Sequence, residues 1–276
     1  MGAPEDVATW MATHEHKDKN FPHVYKYHSR SDIHSIILCE FVMRDLLARS
    51  LALREQALRG EAAYGVNVKY RWETTGKSKA LDLAIGPPTE SASTVPSIAV
   101  NQIRRVRNPK LEAGTAPIIP NAFSRLLIGC EAKAVMTEHG KSQPRLFDEL
   151  SSSHEILHQG DQETIAAGIV MVNIASTFVS PLRQKSADQL HISHHQQPLV
   201  ASRVVEHLRG LRIRDNVGEV GFDAFCTFVV DCDNQTGCTL FTDSPAPQPG
   251  DLDHYDTFID RITRFYEERF GKRRQE

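Results

Sequence analysis

The sequence predicts an α/β protein with a mixed central sheet flanked by helices: a helix, three strands, a helix and a fourth strand (αβββαβ), then C-terminal additions. Three observations predict this. Residues from Ser31 to Leu47 place Ile33, Ile36, Ile37, Met43 and Leu47 at helical spacing. Three strand-like runs follow, VNVKYRWE, ALDLAIG and RLLIGCEAK, each bounded by turn residues. The run TIAAGIVMVNIAS then reads as a strand buried on both faces, because such strands lose their polar alternation.

Taken in order, residues 1–30 read as an irregular arm whose histidines (His14, His16, His23, His28) lie at the surface. Ser31 or Asp32 can cap the first helix. Glu40 falls on its apolar stripe, where a carboxylate is costly without a partner. It therefore points toward a polar site, pairs with an arginine, or sits at the margin of the stripe. The helical pattern continues, with a break, through LALREQALRGEAA. VNVKYRWE and ALDLAIG form a hairpin around Gly76, the flexible turn position. Residues 87–124 are a long connection rich in Pro, Ser and Thr, and connections of that length tend to be functional. Within it Arg104, Arg105, Arg107 and Lys110 form either a phosphate-contacting segment or a solvated charged loop. After RLLIGCEAK come a helix over 141–158, the buried strand, a helix over 199–211, the strand GFDAFCTFVVD and a final amphipathic helix, HYDTFIDRITRFYEERF. HISHH (191–195) lacks the ligand grammar of a structural zinc site, and DCDNQTGC reads as a hairpin turn.

Composition sets the class. A chain of 276 residues with 40% hydrophobic and 24% charged side chains suits one domain with a substantial core, so residues 1–276 are read as a single unit: arm, core over 31–177, and an extension over 178–276. No apolar run reaches the ~18 residues of a membrane span, and the N-terminus lacks a signal-peptide core. Five cysteines without a CxxC pair suggest a reduced, cytoplasmic setting. The net charge of −3 argues against an unspecific polyanion binder, but a phosphodiesterase needs only local basic patches.

The chemistry centres on two of the strands. With side chains alternating between faces, Leu126, Ile128, Cys130 and Ala132 share one face of RLLIGCEAK, while Glu131 and Lys133 share the other. In ALDLAIG, Leu81, Leu83 and Ile85 line one face and Asp82 lies opposite. If the strands are neighbours, two carboxylates meet beside an ammonium. That set suits Mg²⁺, which takes one or two carboxylates plus waters and substrate phosphate, with Mn²⁺ as a possible substitute. A nearby lysine offsets transition-state charge. Glu-x-Lys triplets are common in charged proteins, and only this strand context lifts the triplet above a solvated face.

These residues resemble the PD-(D/E)xK nuclease superfamily, which includes many restriction endonucleases. The matching positions are Asp82, Glu131 and Lys133, and the likeness covers residues 31–177 in element order. The resemblance implies a restriction-endonuclease-like core and a Mg²⁺-dependent endonuclease acting on double-stranded DNA. Asp82, Glu131 and the Ala132 carbonyl would hold the metal, Lys133 would orient water or neutralise charge, and Glu40 would complete the set. Some branches carry a Gln with an aromatic residue four positions later on the following helix, which Gln143 and Phe147 match loosely, and Lys141 lies near enough to join. Leu81 stands where the motif often has proline, and Asp82 and Glu131 are 49 positions apart, with Glu90 a weaker substitute for the first acid. A type II restriction enzyme acting as a homodimer follows from the likeness, since two-fold symmetry suits a palindrome. The alternatives are a repair or defence nuclease without sequence preference, and a non-catalytic nucleic-acid-binding protein on the same fold.

Overall fold

The computed structural model describes residues 2–72, 74–96, 104–106 and 122–271. In chain order the elements are α1 (Ala3–Thr13), β1 (His16–Lys17), β2 (Val24–Tyr25), α2 (Ile33–Arg49), α3 (Leu51–Leu58), β3 (Ala63–Arg71), β4 (Ser78–Gly86), β5 (Thr94–Pro96), β6 (Arg104–Val106) and β7 (Ile128–Val135). They continue with α4 (His139–Gly160), β8 (Ile165–Asn173), β9 (Thr177–Val179), β10 (Ile192–His194), α5 (Leu199–Leu208), β11 (Ala224–Cys232), β12 (Cys238–Phe241) and α6 (Tyr255–Phe270).

A mixed sheet of eight strands, in the order β12-β11-β8-β7-β4-β3-β6-β5, forms the middle layer. β8 runs parallel to both β7 and β11, while β3, β4 and β7 form an antiparallel set. β8 lies inside the sheet and is buried along its whole length, which fits its apolar run from Ile165 to Val172. Its alternate residues serve two cores. Ile165, Ala167, Ile169 and Met171 face the layer of α1, α2 and α6, and Ala166, Val170 and Val172 face the layer of α4 and α5. Full burial of side chains such as Met43, Leu46 and Phe258 contributes about 1.5–3 kcal/mol each.

The N-terminal arm differs from its expected form. Residues Ala3–Thr13 are helical, with Ala3, Val7, Ala8 and Met11 buried. Pro4 in the first turn, followed by Glu5 and Asp6, suits a helix start electrostatically. Asp6 pairs with Arg44 of α2 at 2.5 Å, and Asp45 accepts the Ala3 N–H at 2.8 Å. Two strands come from the long connection: β6 runs parallel to β3, pairing Ala63 with Arg104, and β5 pairs with β6 at the sheet edge. α3 starts at Ser50, whose hydroxyl accepts the Leu53 N–H.

The strand alternation read from the sequence fails at one place. Tyr64 and Val66 pack with the α2 layer, whereas Val68, Tyr70 and Trp72 pack with the α4 layer. On β4, Leu83 and Ile85 lie in the first core and Leu81 in the second. The side-chain alternation slips at Asn67, which takes a left-handed φ of 50°, and at Asp82 opposite it, while the pairing register on either side stays the same. Asn is one of the few residues that tolerate this conformation. Val68 then tucks beneath Gly65, where a Cβ would meet Val68 Cγ2 at 2.4 Å.

Candidate active site

Asp82 sits where this slip coincides with a parting of strands. β4 and β7 pair only from Leu83–Cys130 to Ile85–Ile128, and beyond that the ladder opens. The Asp82 carboxylate fills the gap and accepts the Ala132 N–H at 2.8 Å. Glu131, on β7, is buried, and its Oε1 lies 2.7 Å from Lys133 Nζ. Asp82, Glu131 and Lys133 are thus brought into one electrostatic cluster, with Glu131 and Lys133 both acting on the Asp82 carboxyl.

Within the cluster the lysines pair with Glu131, and Asp82 has only the Ala132 N–H as a direct donor. Burial, then the neighbouring Glu131 charge, pushes the Asp82 carboxyl up to about 7, against the opposing pull of the Ala132 N–H and Lys133. Asp82 keeps some surface at the mouth of a pocket, yet its carboxylate lies deep among protein atoms. Burial works against the Lys133 charge, but Glu131, Asp82 and Glu149 outweigh it and raise its pKa. Glu131 Oε2 is buried without a hydrogen bond, although Lys79 Nζ stands 3.3 Å away as an ion-pair partner at an angle unfit for one.

The pocket, about 290 Å³, is walled by Asp82, Ala132, Lys133 and Met171 from the sheet and by Asp32, Ser35 and Leu38 from the start of α2. Glu131 is not among its walls and lies behind Lys133. Ser31 and Asp32 also border a larger cleft, about 660 Å³, between the arm and the turn Pro181–Arg183. Lys19 and Arg30 line that cleft without a carboxylate partner among the described residues.

The orphaned Glu131 oxygen and the mutually repelling carboxylates of Asp82 and Glu131 form an anionic pair on rigid strands. Two carboxylates suit Mg²⁺, which keeps several waters. Among the described residues no group of three or more His, Cys, Asp or Glu side chains is arranged to hold a metal, so a closed zinc-type cage, including one at HISHH, is not formed.

The other expected site residues lie elsewhere. Glu40 does not wall the pocket; its buried carboxylate accepts the Tyr64 hydroxyl and pairs with Arg105 at 3.4 Å. Of the roles open to Glu40 from the sequence, pairing with an arginine is the one formed. Arg105 is correspondingly buried, which corrects its expected place on a phosphate-contacting surface: burial beside a carboxylate takes its charge out of reach. Arg104 lies on β6, while Arg107 and Lys110 fall outside the described residues. Lys141 is exposed and pairs with Glu138 at 2.9 Å, and Gln143 is half-buried on α4. Glu90 is an exposed residue beyond the end of β4.

Two members of the cluster escaped the sequence reading. Glu149, from α4, approaches Lys133 at 3.6 Å, and Lys79 approaches Glu131. Glu149 could have been found from its place one residue before the buried Leu150 on the helix face over β7. Lys79 carried no such signal. No family model, curated protein or solved structure matches this chain. The geometry of the cluster therefore carries the functional argument alone.

Proposed function

We propose that the protein is a Mg²⁺-dependent endodeoxyribonuclease of the PD-(D/E)xK type, a type II restriction enzyme in its fullest form. The observation that carries this reading is the opening of β4 from β7 at Asp82, with Glu131 and Lys133 on the facing strand. The run α2, β3, β4, β7, α4, β8, with α3, β5 and β6 inserted, supports the αβββαβ core that the resemblance implies.

On this reading Asp82 and Glu131 hold the cation and the Ala132 carbonyl adds an oxygen. Bound there, the cation would polarise a phosphoryl oxygen and lower the pKa of an attacking water. Lys133 is anchored to Glu131 and reaches the pocket, so its ammonium can face the charge that builds on the phosphate. The adjoining cleft, with Lys19 and Arg30, offers a track for the nucleic-acid backbone. Double-stranded DNA is the substrate, two copies of the chain cut its two strands, and the enzyme works in the cytoplasm. No helix among the described residues is long and apolar enough to cross a membrane, and the five cysteines are free and buried.

Plasmid cleavage with Mg²⁺ tests the reading. Wild type should convert supercoiled DNA to discrete fragments, and Lys133→Ala should lose at least about 100-fold in rate. Equal cutting by both proteins, or none by wild type with Mg²⁺ or Mn²⁺, would end it.

A further inference from the structure

Glu131 is served by two lysines, and the catalytic reading uses only one. Lys133 takes Oε1 at 2.7 Å. Lys79, from β4, stands 3.3 Å from Oε2, the oxygen that has no hydrogen bond. Both groups are well shielded, with 15% of the Lys79 side chain and 8% of the Glu131 side chain exposed. Lys79 gets there through the slip in the ribbon. Strict alternation would put it on the same face as Leu83, but the break at Asp82 turns it, like Leu81, to the side of the sheet where Glu131 and Lys133 meet α4. An ion pair without hydrogen-bond geometry supplies charge to the carboxylate while leaving the oxygen's lone pairs unused.

Resting on the nuclease reading, we propose that Lys79 is the resident counter-ion of Glu131: it neutralises Oε2 in the metal-free protein, gives way when Glu131 turns that oxygen to a divalent cation, and so sets how tightly the site takes metal. No bond is made or broken; one positive partner of the carboxylate is exchanged for another. The freed ammonium remains beside the site, where a phosphate oxygen is the nearest kind of partner a substrate would bring.

The test is Mn²⁺ titration followed by calorimetry and water-proton relaxation on wild type, Lys79→Met and Lys79→Arg. Competition predicts that Lys79→Met binds Mn²⁺ tighter by on the order of tenfold, the scale of one nearby charge, and that Lys79→Arg stays near wild type. Circular dichroism monitors folding. If Lys79→Met folds only when Mn²⁺ is added, the proposal stands, and if it stays unfolded with Mn²⁺ the proposal fails. Affinity in Lys79→Met equal to or weaker than wild type also overturns it. Where wild type binds Mn²⁺ and Lys79→Met binds it equally, only this inference falls. Where none of the three proteins binds Mn²⁺, the nuclease reading falls with it.

Discussion

Two buried carboxylates in this molecule have opposite surroundings. Asp223, just before β11, is fully enclosed. Arg214 reaches it at 3.0 Å and Arg269 at 2.6 Å, His158 lies 3.2 Å away, and the Ala166 N–H donates at 2.8 Å. Burial alone would raise its pKa, but hydrogen bonds from His158 and Arg214 and the charges of Arg214 and Arg269 bring it down to about 2. Asp82 is pushed the other way, because burial and then the charge of a second carboxylate, Glu131, outweigh its one backbone donor and Lys133. A buried acid saturated with cations ties the sheet to its covering helices. A buried acid whose cations pair instead with its neighbouring carboxylate is disfavoured in its charged form.

The largest way to break this contrast is at Asp223. Asp223→Asn leaves Arg214 and Arg269 buried without their counter-charge, so urea denaturation should show a loss of about 3–5 kcal/mol. A near-neutral result would mean that the arginines find other partners and that the saturated site contributes little. Asp82→Asn should go in the opposite direction. It removes one of two repelling charges while its amide oxygen can still accept the Ala132 N–H, so the metal-free protein should gain about 2–3 kcal/mol at pH 8. On the nuclease reading Mn²⁺ should also raise the melting temperature of wild type, and the same variant should lose that rise. Destabilisation by Asp82→Asn would show that its carboxylate is structural, like that of Asp223.

A pH series sharpens the comparison with a smaller effect. Asp82 has a raised folded pKa, so metal-free wild type should lose stability as pH rises from about 4 to about 7, with a slope of about 1 kcal/mol per pH unit from this group. Asp223 has a depressed folded pKa, so its contribution is complete above about 4 and is lost as pH falls through about 2. Comparing each slope with that of its Asn variant isolates the two groups. A wild-type slope between pH 4 and 7 that survives in Asp82→Asn would assign it to another residue.

The fold was readable wherever one local pattern decided the outcome. Fully apolar β8, the alternating start of β7 and the one-sided helices α2 and α6 follow from periodicity, because each must bury its apolar residues against the sheet or within it. α1 was equally periodic, at Ala3, Val7, Ala8 and Met11, but its charged neighbours masked the signal. The pairing of Glu40 with Arg105 joins positions 65 apart, and that of Arg269 with Asp223 joins positions 46 apart, so no local rule could select them.

The sequence by itself determined that Glu131 and Lys133 share a strand face and that Asp82 lies on a separate strand. Only the tertiary structure decided which charges complete the cluster. Period-two reading assumes an unbroken pleat, and the left-handed Asn67 breaks it beside Asp82. That single conformational choice, held in place by packing on both sides of the sheet, sends Leu81 to the other core and turns Lys79 toward Glu131.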